Sequence, residues 1–163
     1  MFLGLESGDQ EILNNIKKRT TLDQIREKVK LLKKAGIEVR GSFVLGLPGE
    51  TPQKARKTIK FAIELEPDYA QFTLATPFPG TELYKTYENW GKMDKSYNKY
   101  NEWSPVFVPY GYTNAEELSK MHREAFRRFY FRPKYVLGRL QKLRSLRELK
   151  RYIVGLRMVI GFV

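Results

Sequence analysis

The chain has 163 residues, enough for one ordinary domain or for part of a larger one with an appendage. Hydrophobic residues make up 42% of the chain, so it can bury a core, and cysteine is absent. The composition therefore excludes disulfides, thiolate nucleophiles, and zinc or iron–sulfur sites whose cysteines this chain would supply. No secretory signal pattern opens the sequence, so we expect a cytoplasmic protein.

A short strand and a long helix are the first elements of the chain. Residues 2–5 are apolar and predict the strand. Thr21 opens the helix, with Gln24 three residues on as its capping-box partner, and Gly36 stands where a left-handed C-terminal cap belongs.

Two further strands are predicted over residues 37–45 and 69–76. Thr51 and Pro52 begin the helix between them, as N-cap and first helical residue. Strands separated by long amphipathic helices pair in parallel through right-handed crossovers. We therefore predict about three βα units of a barrel or an open sheet. Because a parallel sheet needs covered neighbours, we expect the chain to be part of a larger protein.

The composition changes after residue 83. Residues 84–112 are rich in Tyr and Trp and predict a packed linker, which either covers a substrate pocket or fills the space between sheet and tail. Helices are then predicted over 113–131, opened by a capping box of Thr113 and Glu116, and over 134–142. The single histidine, in the first of these helices, is predicted to be a surface residue without a catalytic role.

The end of the chain is basic, and a last helix is predicted from Ser145. Residues 114–163 hold 13 Lys and Arg against 4 Asp and Glu, out of a net charge of +12 for the chain. Such an excess is typical of contact with nucleic acid, an anionic membrane surface or an acidic partner, and equally of a solvated helical face. Residues 152–163 are too few for a bilayer span of ~20 apolar residues, and either lie on a membrane surface or dock on protein.

The end of the second strand carries a motif suited to ligand binding. Residues 42–52 run from the strand through a turn bracketed by Gly46 and Gly49 into the next helix. Ligands of α/β proteins gather beyond the carboxyl ends of the strands, where glycine lets them approach the backbone. The same glycines are also typical of a turn that needs them only for its shape. Strand alternation places Ser42 and Val44 on one face and Phe43 on the other.

Glu6 ends the first strand, between Gly4 and Gly8, at the same edge of the predicted sheet. A carboxylate there can accept hydrogen bonds from a ribose hydroxyl or an ammonium group. The alternative is an exposed turn residue.

Five motifs follow one another along the chain, at residues 4–8, 17–18, 43–51, 66–68 and 76–84. Together, over residues 2–85, they resemble the second half of the barrel of radical S-adenosylmethionine (SAM) enzymes. The likeness is greatest to the branch in which a cobalamin-binding domain precedes the barrel. The resemblance implies an α/β fold, the C-terminal part of a parallel (β/α) partial TIM barrel. The domains would be the barrel part over 1–83, an aromatic-rich linker over 84–112 and a basic α-helical extension over 113–163.

The resemblance also implies where the polar parts of SAM bind. Glu6 is similar to the polar residue that contacts the ribose or the methionine part. Lys18 stands where the family often has a basic residue toward the SAM carboxylate, with Lys17 and Arg19 as alternatives. Ser42 matches a polar position on the fifth barrel strand that faces SAM.

The adenine would lie farther along the strand ends. Val44 matches the apolar residue against the ring, and the backbone near Thr76 and Pro77 would flank its edge. An apolar face under the ring, with polar groups on the ribose, suits the chemistry of this ligand.

One departure from the family limits these implications. The family's three cysteines, which hold a [4Fe–4S] cluster, have no counterpart in this sequence. The [4Fe–4S] cluster, and cobalamin, would therefore reach the protein only through an N-terminal half, its expected partner. We predict no catalytic or metal-binding residue in this chain, no activity of the chain alone, and self-association through an exposed strand edge. A non-catalytic basic module that binds nucleic acid, an anionic membrane surface or an acidic partner stays as the alternative function.

Overall fold

A computed structural model describes residues 1–141. In this range a parallel sheet has the strand order β1-β2-β3, with the helices of the crossovers between the strands. The bounds in chain order are β1 Phe2–Glu6, α1 Gln10–Asn15, α2 Leu22–Lys34, β2 Arg40–Leu45, α3 Pro52–Leu65 and β3 Tyr69–Leu74. The three predicted βα units are confirmed, whereas the six-residue helix α1 was not predicted.

The predicted starts of α2 and α3 are confirmed. The Thr21 hydroxyl accepts from Gln24 N, and the Gln24 side chain accepts from Thr21 N, which completes the capping box. Pro52 is the first residue of α3. Strand β2 begins three residues later than predicted, because the Val39 amide donates to Asp68 Oδ2 at 3.0 Å instead of joining a strand ladder.

The core lies on one face of the sheet. Phe43 and Phe72 are fully buried, and their rings stack at 5.5 Å between centroids. Helix α3 and the later helix α5 (Ala115–Tyr130) pack against this side, where Phe126 meets the Phe72 ring edge-on at 5.4 Å. Ser42 and Val44, on the opposite face, are only half-buried, as the predicted alternation requires.

The second half of the described chain has short strands that were not predicted. The bounds are α4 Glu82–Thr86, β4 Gly91–Met93, β5 Phe107–Pro109 and, after α5, α6 Pro133–Gln141. Strands β4 and β5 form an antiparallel pair within the aromatic-rich segment. The division of the chain at residues 83 and 112 stays a prediction. The predicted helix from Ser145 and residues 152–163 lie outside the described residues.

Two details of helix α5 correct the sequence analysis. The predicted capping box of Thr113 and Glu116 is wrong by one residue, because Asn114 is the N-cap and accepts from Glu117 N at 2.9 Å. The prediction of a surface His122 is also wrong. The ring is buried against Phe126 and its Nε2 lies 2.8 Å from the Phe72 carbonyl oxygen. Burial lowers the pKa of His122, so the neutral ring donates this bond.

Candidate functional site

Glu6 and Lys18 meet at the carboxyl ends of the strands. We call this edge, formed by the last residues of β1, β2 and β3 and the loops that follow them, the carboxyl rim. Lys18 Nζ lies 2.8 Å from Glu6 Oε1, and both side chains are only part-exposed. Of the three basic residues considered for the SAM carboxylate, Lys18 pairs with Glu6 and Lys17 pairs with Glu82.

The backbone on both sides of this ion pair is strained. Glu6, Lys17 and Arg19 have φ angles of 61°, 56° and 52°, in the left-handed region that residues with a side chain rarely adopt. Buried hydrogen bonds hold the segment after Glu6, since Ser7 Oγ and the Gly8 amide each lie 3.0 Å from Thr58 Oγ1. Strain of this kind persists where the surrounding structure imposes it, and it concentrates at functional sites.

Gly4 leaves the room that the ion pair occupies. A Cβ atom at this position would lie 2.6 Å from Glu6 Oε1 and 3.3 Å from Lys18 Nζ. Gly4 is also the register partner of Ser42, which in turn is the partner of Gln71. The ion pair therefore folds back over the open face of the sheet, beside Ser42.

The other predicted positions lie farther along the carboxyl rim. Val44 packs against a second buried cluster, whose members include Phe107 of β5. Beyond the end of β3, Thr76 Oγ1 donates to the Leu74 carbonyl at 3.2 Å, and Pro77 is buried. The structure brings Glu6, Lys18 and Ser42 together, whereas Thr76 and Pro77 contribute backbone at the next strand end. These six assignments to SAM stay predictions.

The turn after β2 uses its glycines for shape. Gly46 and Gly49 have φ angles of 76° and 79°, which only glycine adopts without cost. The Asn15 side chain at the end of α1 donates to the Pro48 carbonyl at 3.0 Å and ties the turn to the β1 side of the rim. This geometry accounts for both glycines, and their part in ligand approach stays a prediction.

Glu50, which was not among the predicted site residues, is the most deeply buried carboxylate of the described chain. Its Oε1 accepts from the Gly46 amide at 2.6 Å and from the Tyr112 hydroxyl at 2.8 Å. Its Oε2 is buried and has no hydrogen-bond partner among the described residues. Glu50 thereby connects the turn after β2 to the segment that enters α5.

Burial raises the pKa of Glu50 to about 7, against the opposing effect of its two donors. Burial and the neighbouring carboxylate also raise the pKa of Tyr112, which keeps its hydroxyl a donor. Of the two hydrogen bonds that Glu50 accepts, only the one from the Gly46 amide could be predicted from the sequence. A glutamate four residues after Gly46, in a turn between strand and helix, can accept that amide; the contact with Tyr112 spans 62 residues.

Comparison with known proteins identifies the family of this chain. The family model of the radical SAM superfamily matches residues 1–62. An uncharacterized methyltransferase of Pyrococcus horikoshii is 41% identical over 138 residues, which is 84% of this chain and 30% of that protein. The chain belongs to the radical SAM superfamily.

Two further comparisons extend this result. The anaerobic magnesium-protoporphyrin IX monomethyl ester cyclase of Cereibacter sphaeroides is 31% identical over 85% of this chain and 25% of its own length. Elp3 of the archaeon Methanocaldococcus infernus, solved with an N-terminal deletion, superimposes with a TM-score of 0.59. The two chains are 24% identical, and the match covers 82% of this chain and 27% of the Elp3 chain. At this identity the likeness shows the fold alone.

The predicted superfamily, branch and fold class are confirmed by these comparisons and by the parallel sheet. The described residues form part of a radical SAM barrel followed by a helical part. The chain spans about a quarter to a third of the length of these three proteins.

A radical SAM family implies both SAM and a [4Fe–4S] cluster. The residues of this chain suit SAM but not the cluster. The Glu6 carboxylate, the Lys18 ammonium and the Ser42 hydroxyl suit the ribose and the charged groups of SAM. The chain has no cysteine, so it supplies no thiolate for a [4Fe–4S] cluster. Residues 1–141 also contain no group of three or more His, Asp or Glu placed to hold a metal ion.

Within residues 1–141, no helix combines the length and apolar character needed to cross a membrane.

Proposed function

We propose that this chain contributes part of the SAM pocket of a radical SAM enzyme. The observation that carries the proposal is the ion pair of Glu6 and Lys18 over the bare backbone of Gly4, beside Ser42. Opposite charges and a hydroxyl are gathered at the carboxyl rim, where the ligands of parallel sheets bind. Strained backbone at Glu6 and around Lys18 supports a role beyond folding.

Each residue has a role in this proposal. Lys18 binds the SAM carboxylate, and Glu6 accepts hydrogen bonds from the ribose hydroxyls or the ammonium group. Ser42 adds a hydroxyl beside them. Val44 lies against the adenine ring, and the backbone at Thr76 and Pro77 borders the edge of that ring. The Glu6–Lys18 pair keeps both charges partnered and in place before the ligand binds.

In this proposal the rest of the enzyme supplies the cofactors that the chain itself does not bind. It cleaves SAM reductively at a [4Fe–4S] cluster, for methyl transfer or another radical reaction. The N-terminal half of the barrel supplies the cysteines, and in the branch that the chain resembles cobalamin binds to a domain that precedes the barrel. The chain alone is inactive because it lacks cluster ligands.

The unpaired edge of β1 is the proposed contact with that N-terminal half. Within the described sheet β1 pairs with β2 alone, so its other edge is unpaired. Phe2 on this strand is 62% exposed. Unpaired parallel edges bind other strands, and the isolated chain is therefore expected to self-associate. A sharp monomer peak in size-exclusion chromatography, together with cooperative melting, would contradict this expectation.

Calorimetric titration of the purified chain with SAM tests the proposed pocket. We expect weak binding that Glu6→Ala and Ser42→Ala both abolish, because each removes a polar contact at the rim. Lys28→Ala, which removes an exposed charge from α2, is the matched control and retains binding. Binding that survives both substitutions would refute the pocket.

A further inference from the structure

Four aromatic side chains, two of them exposed and two half-buried, form a group at the carboxyl rim, next to Thr76 and Pro77. The Phe78 and Tyr100 rings meet edge to face at 6.0 Å, and Tyr97 and Tyr100 lie 5.2 Å apart. The hydroxyls of Tyr84 and Tyr97 are 3.2 Å apart. We call these four residues the rim aromatic cluster.

The rim aromatic cluster lies outside both buried cores. The core on the helix side contains none of the four rings, and the second cluster, around Phe107, is filled by other side chains. Phe78 is 39% exposed and Tyr97 is 62% exposed. Grouped aromatic rings left in solvent at a rim indicate a binding surface rather than packing.

A lysine without a carboxylate partner borders these rings. Lys95 Nζ lies 5.7 Å from the centre of the Tyr87 ring, and no ion pair of residues 1–141 includes Lys95. The nearby Lys99, by contrast, is neutralised by Asp94 at 2.6 Å. Lys95, hydrogen-bonded to the Tyr87 side chain, therefore places a positive charge that no carboxylate of residues 1–141 neutralises in an ion pair beside Tyr97 and Tyr100.

Two connections place the rim aromatic cluster next to the Glu6–Lys18 pair. Lys17, the neighbour of Lys18, pairs with Glu82 at 2.5 Å, two residues from Tyr84. On the other side, the Leu74 amide at the end of β3 donates to the Glu102 carbonyl at 2.7 Å, shortly after Tyr100. The rings thus belong to the same rim as the proposed SAM pocket.

We propose that the rim aromatic cluster binds the substrate of the enzyme, and that this substrate is a flat conjugated ring system bearing a carboxylate. The flat ring stacks on Tyr97 and meets the edge of the Tyr100 ring, whose plane is inclined by 46° to that of Tyr97, and the carboxylate pairs with Lys95. This substrate class rests on the proposed function, since it makes the cluster the neighbour of bound SAM.

Fluorescence polarisation of pyrene-1-carboxylate with the full chain, in the absence of SAM, tests the proposal. We expect the carboxylate to bind about threefold tighter than neutral pyrene-1-methanol, because only the carboxylate can pair with Lys95. The double variant Tyr97→Ala/Tyr100→Ala should weaken both probes by about tenfold. Lys95→Gln should remove the preference for the carboxylate and leave pyrene-1-methanol unchanged.

Matched controls make each outcome decisive. Phe131→Ala removes an exposed ring elsewhere, and Lys28→Gln an exposed charge; both should bind the probes as the parent chain does. Probe binding that the double variant leaves intact overturns the proposal, as does dodecanoate competing as well as the flat carboxylate. Because SAM is absent from this assay, a failed SAM titration and a failed ring-binding test are separate results.

Discussion

The two faces of the sheet differ in what this chain provides for them. On the helix side, Phe43 and Phe72 are fully buried under α3 and α5. On the open side, Gly4 leaves room for an ion pair, and Ser42 and Val44 are half-buried. The first face is a finished core whose side chains serve stability. The second carries the Glu6–Lys18 pair and the half-buried Ser42 and Val44, which the proposed function assigns to a ligand.

The largest effect should come from the helix side. Phe72→Ala removes a ring that contacts Phe43, Phe126 and Phe129. We expect the free energy of unfolding to fall by about 3–5 kcal/mol, measured by urea denaturation. Gln71→Ala, the neighbour on the open face, should change it by less than about 0.5 kcal/mol. Similar losses at the two positions would mean that the faces do not differ in this way.

Glu50 should give the chain a pH-dependent stability. Its pKa, about 7 in the folded chain, lies above the ordinary 4.5, so the folded state binds the extra proton. The stability from this group is full below pH 4.5 and is lost as pH rises through 7, by on the order of 3 kcal/mol. Glu50→Gln, which mimics the neutral acid, should flatten this part of the profile.

The measurement for Glu50 is the melting temperature at pH 5, 6, 7 and 8. Glu27→Gln, at an exposed position of α2, is the control and should follow the parent curve. A Glu50→Gln curve that runs parallel to the parent would show that Glu50 does not titrate in this range.

Gly4→Ala sharpens the comparison on the open face. The added Cβ meets the ends of two flexible side chains, Glu6 and Lys18, so folding should lose less than about 1 kcal/mol. The ion pair must shift, however, and we expect the affinity for SAM to fall about tenfold. Calorimetry and thermal melting of one preparation measure both. An unchanged affinity would show that the position of the pair is unimportant for binding.

The smallest effect should come from a helix cap remote from the rim. Thr21→Ala removes the hydroxyl that accepts from Gln24 N at the start of α2, and it leaves the bond from the backbone amide of residue 21 to the Gln24 side chain. We expect a loss of about 1 kcal/mol in urea denaturation, with the affinity for SAM unchanged. A clear loss of SAM binding would mean that the pocket extends beyond the carboxyl rim.

The sequence was sufficient for the features that depend on neighbours along the chain. Period-two alternation in β2 and the cap of α2 at Thr21 are local patterns, and both are confirmed. Helix α1 was missed because six residues carry too little periodicity, although Asp9 accepts from Glu11 N and Ile12 N as an N-cap. The strands β4 and β5 have three residues each and give no pattern at all.

Features that depend on distant contacts were out of reach. Glu50 is buried because Tyr112, 62 residues away, closes over it. Lys18, which pairs with Glu6, lies between two residues with left-handed backbone, Lys17 and Arg19, and no local rule predicts such angles for these residues. The family resemblance predicted binding residues at the carboxyl rim, and these stay predictions, whereas the room over Gly4 is a property of the fold.

Amide chemical-shift mapping on addition of SAM tests the central claim most directly. In ¹H–¹⁵N spectra of the labelled chain, we predict that the largest shifts fall at Gly4, Glu6, Lys18 and Ser42. The amides of α2 and of Phe131 should stay in place. Shifts confined to the helix side of the sheet, or none at SAM concentrations that saturate binding, would contradict a SAM pocket at the carboxyl rim.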